Sequence, residues 1–335
     1  ATVASGAEES DIIEKIDIGG VSLIRAAAKN FNDVAIIASA NDVTEFLQTY
    51  NQGNGEVDLS FRKKLAQKAF AITSHYDSAI FNYFYSKNES SEPVLNLQFN
   101  NAVTLRYGEN PHQRGFYFGN LKETFEQLGG KELSYNNMLD CDAAINLIAE
   151  FSNEKGVTAA IIKHNNACGI ATREKATDAW QAALAGDPVS AFGGIIVFNQ
   201  HIDESLAKEI NAIFFEVIIA PSFAEESIKV FSEKKNRIIL QLKNQRVAKQ
   251  SIKSALGGYL MQETDSEILN TEGWNNITLR KPTTAETEDM LFAVKVIRNL
   301  KSNAITLVKN KQLIGSGAGQ TSRVDALKQA IAKAV

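Results

Sequence analysis

The sequence predicts an α/β protein, and three observations carry that expectation. Short runs of buried-type residues at Ala159–Ile162, Ile195–Phe198, Ile213–Pro221 and Ala304–Val308 have strand length and almost no charge, as strands covered on both faces do. Between and around them, longer segments at 58–84, 175–185 and 286–301 repeat apolar residues at three and four, the spacing of one helix face. Finally, a strand, a polar loop and a helix carrying Asp178-Ala179 return about 147 residues later as a strand, a polar loop and a helix carrying Asp325-Ala326. This echo predicts two related α/β layers after Asn100, with a site between them.

Taken in order, the first element is a glycine pair, Gly19-Gly20, followed by Ser22 and the helix-forming stretch Leu23–Lys29. Amides at such a start can receive an anion, although the pair serves equally well to turn the chain. Asp17 before it and Lys29 at its far end are the polar candidates. Asp33–Ala40 reads as a buried strand, and Asn41-Asp42 opens the next helix. The 58–84 segment predicts a long connecting helix or a pair of helices. Its basic residues Arg62, Lys63, Lys64 and Lys68 read as a solvated face, and His75 and Tyr76 as packing residues. The polar run Lys87–Glu92, ending before Pro93, predicts a domain boundary.

Leu105–Gln113 reads L-R-Y-G-E-N-P-H-Q. Arg106 offers a planar fork suited to phosphate, Tyr107 an aromatic face and Gly108 a close backbone approach, while Asn110-Pro111 forms a turn presenting His112. So dense a set of functional types predicts a binding loop. Leu133–Ala144 leads into a helix that Asp140 or Asp142 can cap, and Asn137 fits either a turn or a ligand contact.

At the centre lies T-A-A-I-I-K-H-N-N-A-C-G-I-A, Thr158–Ala171. A buried strand stops abruptly at Lys163-His164, where an ammonium and an imidazole can stabilise an oxyanion and move a proton within one reaction. Adjacent strand residues point to opposite faces, so both reach one substrate only if the strand has broken into a loop, which Asn165, Asn166 and Gly169 permit. Spacing alone fits a solvated Lys-His loop as well. Further on, Asp187-Pro188 turns the chain and Ser190–Gly194 makes a glycine-bearing loop that includes Gly193. Glu216 sits among apolar neighbours and needs a partner, which a ligand amine or hydroxyl would supply. Gly257-Gly258 precede Tyr259, and Asn303 enters the last strand. The stretch G-S-G-A-G-Q-T-S-R, ending at Arg323, has the makings of a phosphate cradle. It is neither G-x-x-x-x-G-K-[ST] nor G-x-G-x-x-G, so no nucleotide fold follows from it.

The whole chain, 335 residues with 44% hydrophobic and 22% charged, has room for two or three cores, and its net charge of −4 argues against a basic coat for nucleic acid. Cys141 and Cys168 form no C-x-x-C and the four histidines are scattered, which predicts a reducing cytoplasm and no structural zinc. No apolar run has membrane-spanning length. A zinc deaminase would need H-x-E with P-C-x-x-C, and neither motif occurs.

Together, I-D-I-G-G-V-S-L-I-R-A-A-A-K-N, F-R-K-K-L-A-Q-K-A-F-A-I-T-S-H-Y-D, L-R-Y-G-E-N-P-H-Q, I-K-H-N-N-A-C-G, S-A-F-G-G and S-N-A-I…G-S-G-A-G-Q-T-S-R resemble the bifunctional purine-biosynthesis family that joins AICAR transformylase to IMP cyclohydrolase, in the family's order and over almost the whole chain. The resemblance implies residues 1–50 as the end of a methylglyoxal-synthase-like cyclohydrolase domain, 51–95 as a helical connector and 96–335 as a transformylase domain of duplicated cytidine-deaminase-like α/β layers. It implies Lys163 and His164 as the transformylase catalytic pair. Arg106, Tyr107, Asn137, Gly193, Glu216, Asn303, Arg323 and His112 would bind the nucleotide or the folate, and Asp17 and Lys29 would serve cyclisation. The co-substrate would be 10-formyltetrahydrofolate, with no metal. The protein would be a cytoplasmic homodimer with sites across its interface and no nucleic-acid or membrane partner. The family carries further segments before the position of Ala1 and after that of Val335, so impaired cyclisation is expected of this chain. A non-catalytic nucleotide-binding or dimerising fragment is the alternative reading.

Overall fold

Alternating helix and strand signals resolve into two units in the computed structural model, Ala1–Ala102 and Val103–Val335. The structure describes residues 2–88, 92–99, 102–243, 248–265, 267 and 270–334. Residues 89–91, within the expected Lys87–Glu92 boundary, therefore lie outside the described residues.

The first unit is helical: α1 (Glu9–Glu14), α2 (Gly19–Lys29), a single 3-10 turn at Ala40–Asp42, α3 (Val43–Gln52) and α4 (Leu59–Tyr85). The long periodic segment is one helix of 27 residues, opened by Asp58, whose carboxylate accepts from the Phe61 N–H at 2.8 Å. Two expectations change here. Asp33–Ala40 is not a buried strand: it runs extended and half-buried, and with no partner strand among the described residues it has no ladder to make it one. The basic cluster on α4 is solvated only in part, with Lys63 and Lys64 exposed and Arg62 and Lys68 half-buried. Arg62 donates to the carbonyls of Phe31, Val57 and Asn32 at 2.9, 2.5 and 2.8 Å, Lys68 pairs with Asp42 at 2.5 Å, and Lys64 pairs with Glu45. A guanidinium with five donors satisfies carbonyls that would otherwise lack partners where the chain leaves α2. The core is small, built on Ala28, Ala66 and Ala69 with Ile24, Phe31, Ile36 and Ala38 packed around them.

The second unit opens with a two-stranded sheet, β1 (Ala102–Leu105) with β2 (Gly115–Phe118), followed by a short helix α5 (Leu121–Thr124). Its main body is a six-stranded mixed sheet. The strands are β3 (Phe125–Gly129), β4 (Val157–Lys163), β5 (Asn166–Arg173), β6 (Gly194–Phe198), β7 (Phe215–Ala220) and β8 (Ile238–Leu242), in the order β3-β8-β7-β6-β4-β5. β6, β7 and β8 run parallel, and β4 is antiparallel to both of its neighbours. Helices α6 (Tyr135–Ala149), α7 (Ala176–Gly186), α8 (Glu204–Ile210) and α9 (Glu225–Ser232) connect the strands. Two apolar clusters divide between them the alternating side chains of the central strands. Ala160, Ile162, Ile195, Val197, Val217 and Ile219 go to one, and Ala159, Ile161, Ile196, Phe198, Ile218 and Ala220 to the other. Burial on both faces is why these strands read as unbroken apolar runs.

Beyond the sheet come an exposed hairpin, β9 (Gln250–Ala255) with β10 (Gly258–Glu263), then α10 (Thr284–Arg298), the hairpin β11 (Ile305–Val308) with β12 (Leu313–Gly317), and α11 (Arg323–Lys333). The internal echo is here made visible. α6–β4–β5–α7 and α10–β11–β12–α11 share one plan, a helix, a hairpin and a helix. The leading helices both have 15 residues and both open with a reciprocal capping box, Ser134/Asn137 in one and Thr283/Glu286 in the other; the closing helices both have 11 residues. In each copy a glycine of the second strand lets the closing helix approach. A Cβ on Gly169 would lie 2.0 Å from the Ala183 carbonyl oxygen, and one on Gly317 would lie 2.0 Å from that of Ala326. The copies meet where Ala171 bridges Gln312 and the Thr172 N–H donates to the Lys311 carbonyl at 2.9 Å.

Candidate active site

The buried strand β4 ends at Lys163, which pairs across the hairpin with Asn166 of β5. Only His164 and Asn165 lie between, at φ 50° and 63°. Two central residues with positive φ make the mirror-image turn whose twist suits a hairpin, and a histidine there is an uncommon occupant. The reading of this stretch as a plain loop is thus replaced by a tight hairpin. Its consequence is the one the chemistry required: the chain leaves the strand at Lys163 and reverses through His164 and Asn165, so strand alternation does not govern His164, and both Lys163 and His164 line one cleft.

Each partner is held. The Lys163 ammonium donates to the carbonyls of Phe192 at 2.9 Å and Gly193 at 3.0 Å, leaving one of its three protons uncommitted among the described residues. Gly193 has φ +68°, and a Cβ there would lie 3.2 Å from Lys163 Nζ, so the close approach depends on glycine. On the turn itself, the Asn166 side-chain amide donates to the His164 carbonyl at 2.8 Å, and the Asn165 N–H donates to Asp140 Oδ1 at 2.6 Å. The imidazole is exposed. Burial raises the Asp140 carboxyl and Glu216 adds to that, while the Asn165 amide, His164 and Lys163 oppose it; the net direction is upward.

A cleft of about 260 Å³ opens beside the pair, lined by Lys163, His164 and Cys168 from the first copy of the repeat and by Ser316, Gln329 and Lys333 from the second. It therefore lies between the two layers. Ser190 also lines it, and its N–H and hydroxyl donate to Asp187, which pairs with Lys333 at 3.3 Å. Burial pushes Asp187 up, but these partners prevail and hold it below the usual carboxylate range. The Cys168 thiol, buried at the cleft floor, is pushed up to about 12 and is no nucleophile at neutral pH. A larger open depression at Lys155, Arg173 and Lys311 lies elsewhere, and its arginine is already committed to the carbonyls of Thr172 and Asn310.

The first turns of α6 gather the remaining parts. The helix starts at Tyr135 with Ser134 as its cap, six residues before Asp140 and eight before Asp142, the expected caps, which places Asp140 inside the helix where it reaches the hairpin. Asn136 donates to the Glu109 carbonyl at 3.2 Å and so ties in the Arg106–Gln113 loop. There Arg106 lies over the Tyr107 ring at 4.9 Å, and His112 is exposed at the tip. Asn137 both closes the capping box and donates to Glu216 Oε2 at 2.8 Å. The partner Glu216 needed is thus a side chain, with no ligand required. Asn303 donates to the carbonyls of Gln320 and Thr321 at 3.1 and 3.3 Å, closing the glycine-bearing loop, and Arg323 stands exposed at the start of α11.

Asp17 and Lys29 lie in the other unit. The Asp17 carboxylate accepts from the Gly20 N–H at 2.8 Å, taking for itself the amide an anion would use. Lys29 ends the same helix, about 16 Å away along its axis at 1.5 Å per residue, so the two are not brought together. Sequence reasoning missed Asp140, Asp187 and Lys333. Ser134-x-x-Asn137 was the one local signal, since a cap at Ser134 places Asp140 inside the helix.

The fold is that of an α/β protein with a mixed six-stranded sheet, one strand of which ends at Lys163 and leads into His164 beside a cleft. The chain matches the family model described as the AICARFT/IMPCHase bienzyme over residues 27–333, and it belongs to that family. It is 53% identical over 334 residues to the bifunctional purine biosynthesis protein PurH of Bacteroides thetaiotaomicron, covering 100% of this chain and 65% of that protein. It is 44% identical to the proteins of the same name from Acetivibrio thermocellus, covering 96% of this chain and 64% of the relative, and from Aquifex aeolicus, covering 98% and 65%. The chain thus spans just under two thirds of the length of these relatives. Among the described residues there is no cluster of three or more metal-ligating side chains, and no helix is long and apolar enough to cross a membrane.

Proposed function

We propose that this chain carries the formyl-transfer centre of a purine-biosynthesis enzyme, with AICAR as acceptor and 10-formyltetrahydrofolate as donor. The observation that carries this reading is the turn that sets an exposed imidazole beside the strand-end ammonium, both lining the cleft between the two layers. The AICAR 5-amino nitrogen attacks the formyl carbon, and the His164 ring takes the amine proton as the N–C bond forms. The uncommitted Lys163 proton faces the charge that builds on the formyl oxygen. Collapse breaks the bond from the formyl carbon to the folate nitrogen, which leaves with a proton as tetrahydrofolate.

Arg106, Tyr107 and Arg323 are the groups for the nucleotide and its phosphate, with His112 beside them. Asn137, Glu216, Asn303 and Gly193 line the pocket in this reading. Asp17 and Lys29 belong to the second activity, closure of the formylated product to IMP with loss of water. The same reading implies a cytoplasmic homodimer with sites completed across its interface, and a domain plan of 1–50, 51–95 and 96–335.

The test is formyl transfer by the complete polypeptide, followed as tetrahydrofolate appears. His164→Ala and Lys163→Ala should each lower kcat by at least about a hundredfold, the scale of a lost general base or oxyanion partner. Wild-type rates in both variants would remove the pair from the mechanism.

A further inference from the structure

The repeat provides an internal comparison. In the second copy the turn between β11 and β12 is also two residues long, Asn310 and Lys311, at φ 54° and 52°. Its anchor is Asp289, the sixth residue of α10, whose two oxygens accept from the Asn310 N–H at 2.8 Å and the Lys311 N–H at 2.7 Å. Asp140 is likewise the sixth residue of α6, and it anchors the matching turn. The difference lies in what each carboxylate has left. Asp289 spends both oxygens on the turn. Asp140 spends Oδ1 on Asn165, and its Oδ2 accepts no hydrogen bond among the described residues.

We propose that Asp140 is the positioning residue of the Lys163–His164 centre, its Oδ1 fixing the turn that presents the His164 ring. This rests on the formyl-transfer reading only for its consequence in catalysis. The charged groups that act on Asp140 from the elements packed against it are His164 and Lys163 on the hairpin and Glu216 on β7. Glu216 is already bonded to Asn137, so it does not compete for the turn. Fixing the main chain at Asn165 fixes where the His164 ring stands relative to the ammonium, and the transfer needs both in place.

The test uses the complete polypeptide with Asp140→Asn, which keeps an acceptor for the Asn165 amide and removes the charge. Asp289→Asn is the control for an equivalent anchor far from the chemistry. The environment of the His164 ring is followed by NMR, and formyl transfer is measured as kcat and KM. Expected for Asp140→Asn is transfer close to wild type, since the acceptor for the Asn165 amide is kept, while Asp289→Asn and Asp289→Ala leave kcat and the ring signal in place. Asp140→Ala, which also frees the turn, should lower kcat about tenfold or more relative to Asp140→Asn, with the fold checked by thermal melting. Wild-type kcat with an unmoved His164 ring signal in Asp140→Ala, or an equal loss of kcat in Asp289→Ala, overturns the proposal. If the ring signal moves in Asp140→Ala but the wild-type protein transfers no formyl group, the functional reading fails and the positioning role stands.

Discussion

His164 and Asn165 hold a left-handed conformation that costs a residue with a Cβ about 1–2 kcal/mol each, and the structure offsets it with hydrogen bonds from both sides of the turn. Strain of this kind persists only where its surroundings determine it, and here they determine where an imidazole sits relative to an ammonium. Gly193 is the complementary case, a residue whose lack of a side chain sets how near Lys163 can come. Gly193→Ala should lower stability by about 1–2 kcal/mol through its φ of +68°. The added methyl, 3.2 Å from Nζ, should also displace the ammonium and reduce formyl transfer at least tenfold. Urea denaturation and the transfer rate would check the two effects separately. Neither effect could be read from the chain, because S-A-F-G-G gives no sign of which carbonyl a distant lysine will seek. The end of the strand at Lys163 was legible, since an apolar run that stops on polar side chains is a local pattern.

At the scale of elements, what was legible was whatever periodicity records. β7 and β11 lie within their expected runs, β4 and β6 extend theirs by one or two residues at one or both ends, and α4, α7, α10 and α11 fall close to theirs. β5 was lost to turn-forming asparagines that turned out to begin a strand, and β3 and β8 gave too little contrast to stand out. The start of α6 was misplaced because two aspartates outweighed a serine as cap candidates. Caps also make a pH prediction. Glu286 closes the capping box of α10 and accepts from Arg280, whose hydrogen bonds, followed by those of Thr283, hold its carboxyl down at about 2, against an ordinary 4.5. A depressed carboxyl stabilises the fold above its unfolded value and ceases to do so once protonated. The contribution should therefore be complete above pH 4.5 and vanish as the pH falls towards 2. It is modest, because the pair is exposed. Thermal melts across that window should show a steeper decline for the wild type than for Glu286→Gln.

At the scale of the molecule, the two units differ in how much apolar surface they bury within themselves. The clusters of the second fill both faces of a six-stranded sheet, whereas the first is centred on three alanines. Stability follows buried area, so residues 103–335 alone should melt in a cooperative transition, and residues 1–102 alone should lack one. Circular dichroism of the two fragments would check this, and a cooperative melt of the smaller one would contradict it. The division was only partly visible in the sequence, since the composition around Lys87–Glu92 marks a polar stretch without saying which helices belong to which core.

The matched anchors of the two hairpin turns bear, finally, on how such a centre could arise. A duplicated unit carries its backbone solution twice, with an aspartate beneath each turn securing the main chain whatever side chains the turn displays. Those two displayed positions are then free to drift without disturbing the packed layers below. One copy came to present histidine and asparagine at the mouth of a cleft, the other asparagine and lysine on a structural corner. Descent could thus try new chemistry on one turn while its twin preserved the architecture, which makes the second hairpin a natural template for grafting reactive side chains by design.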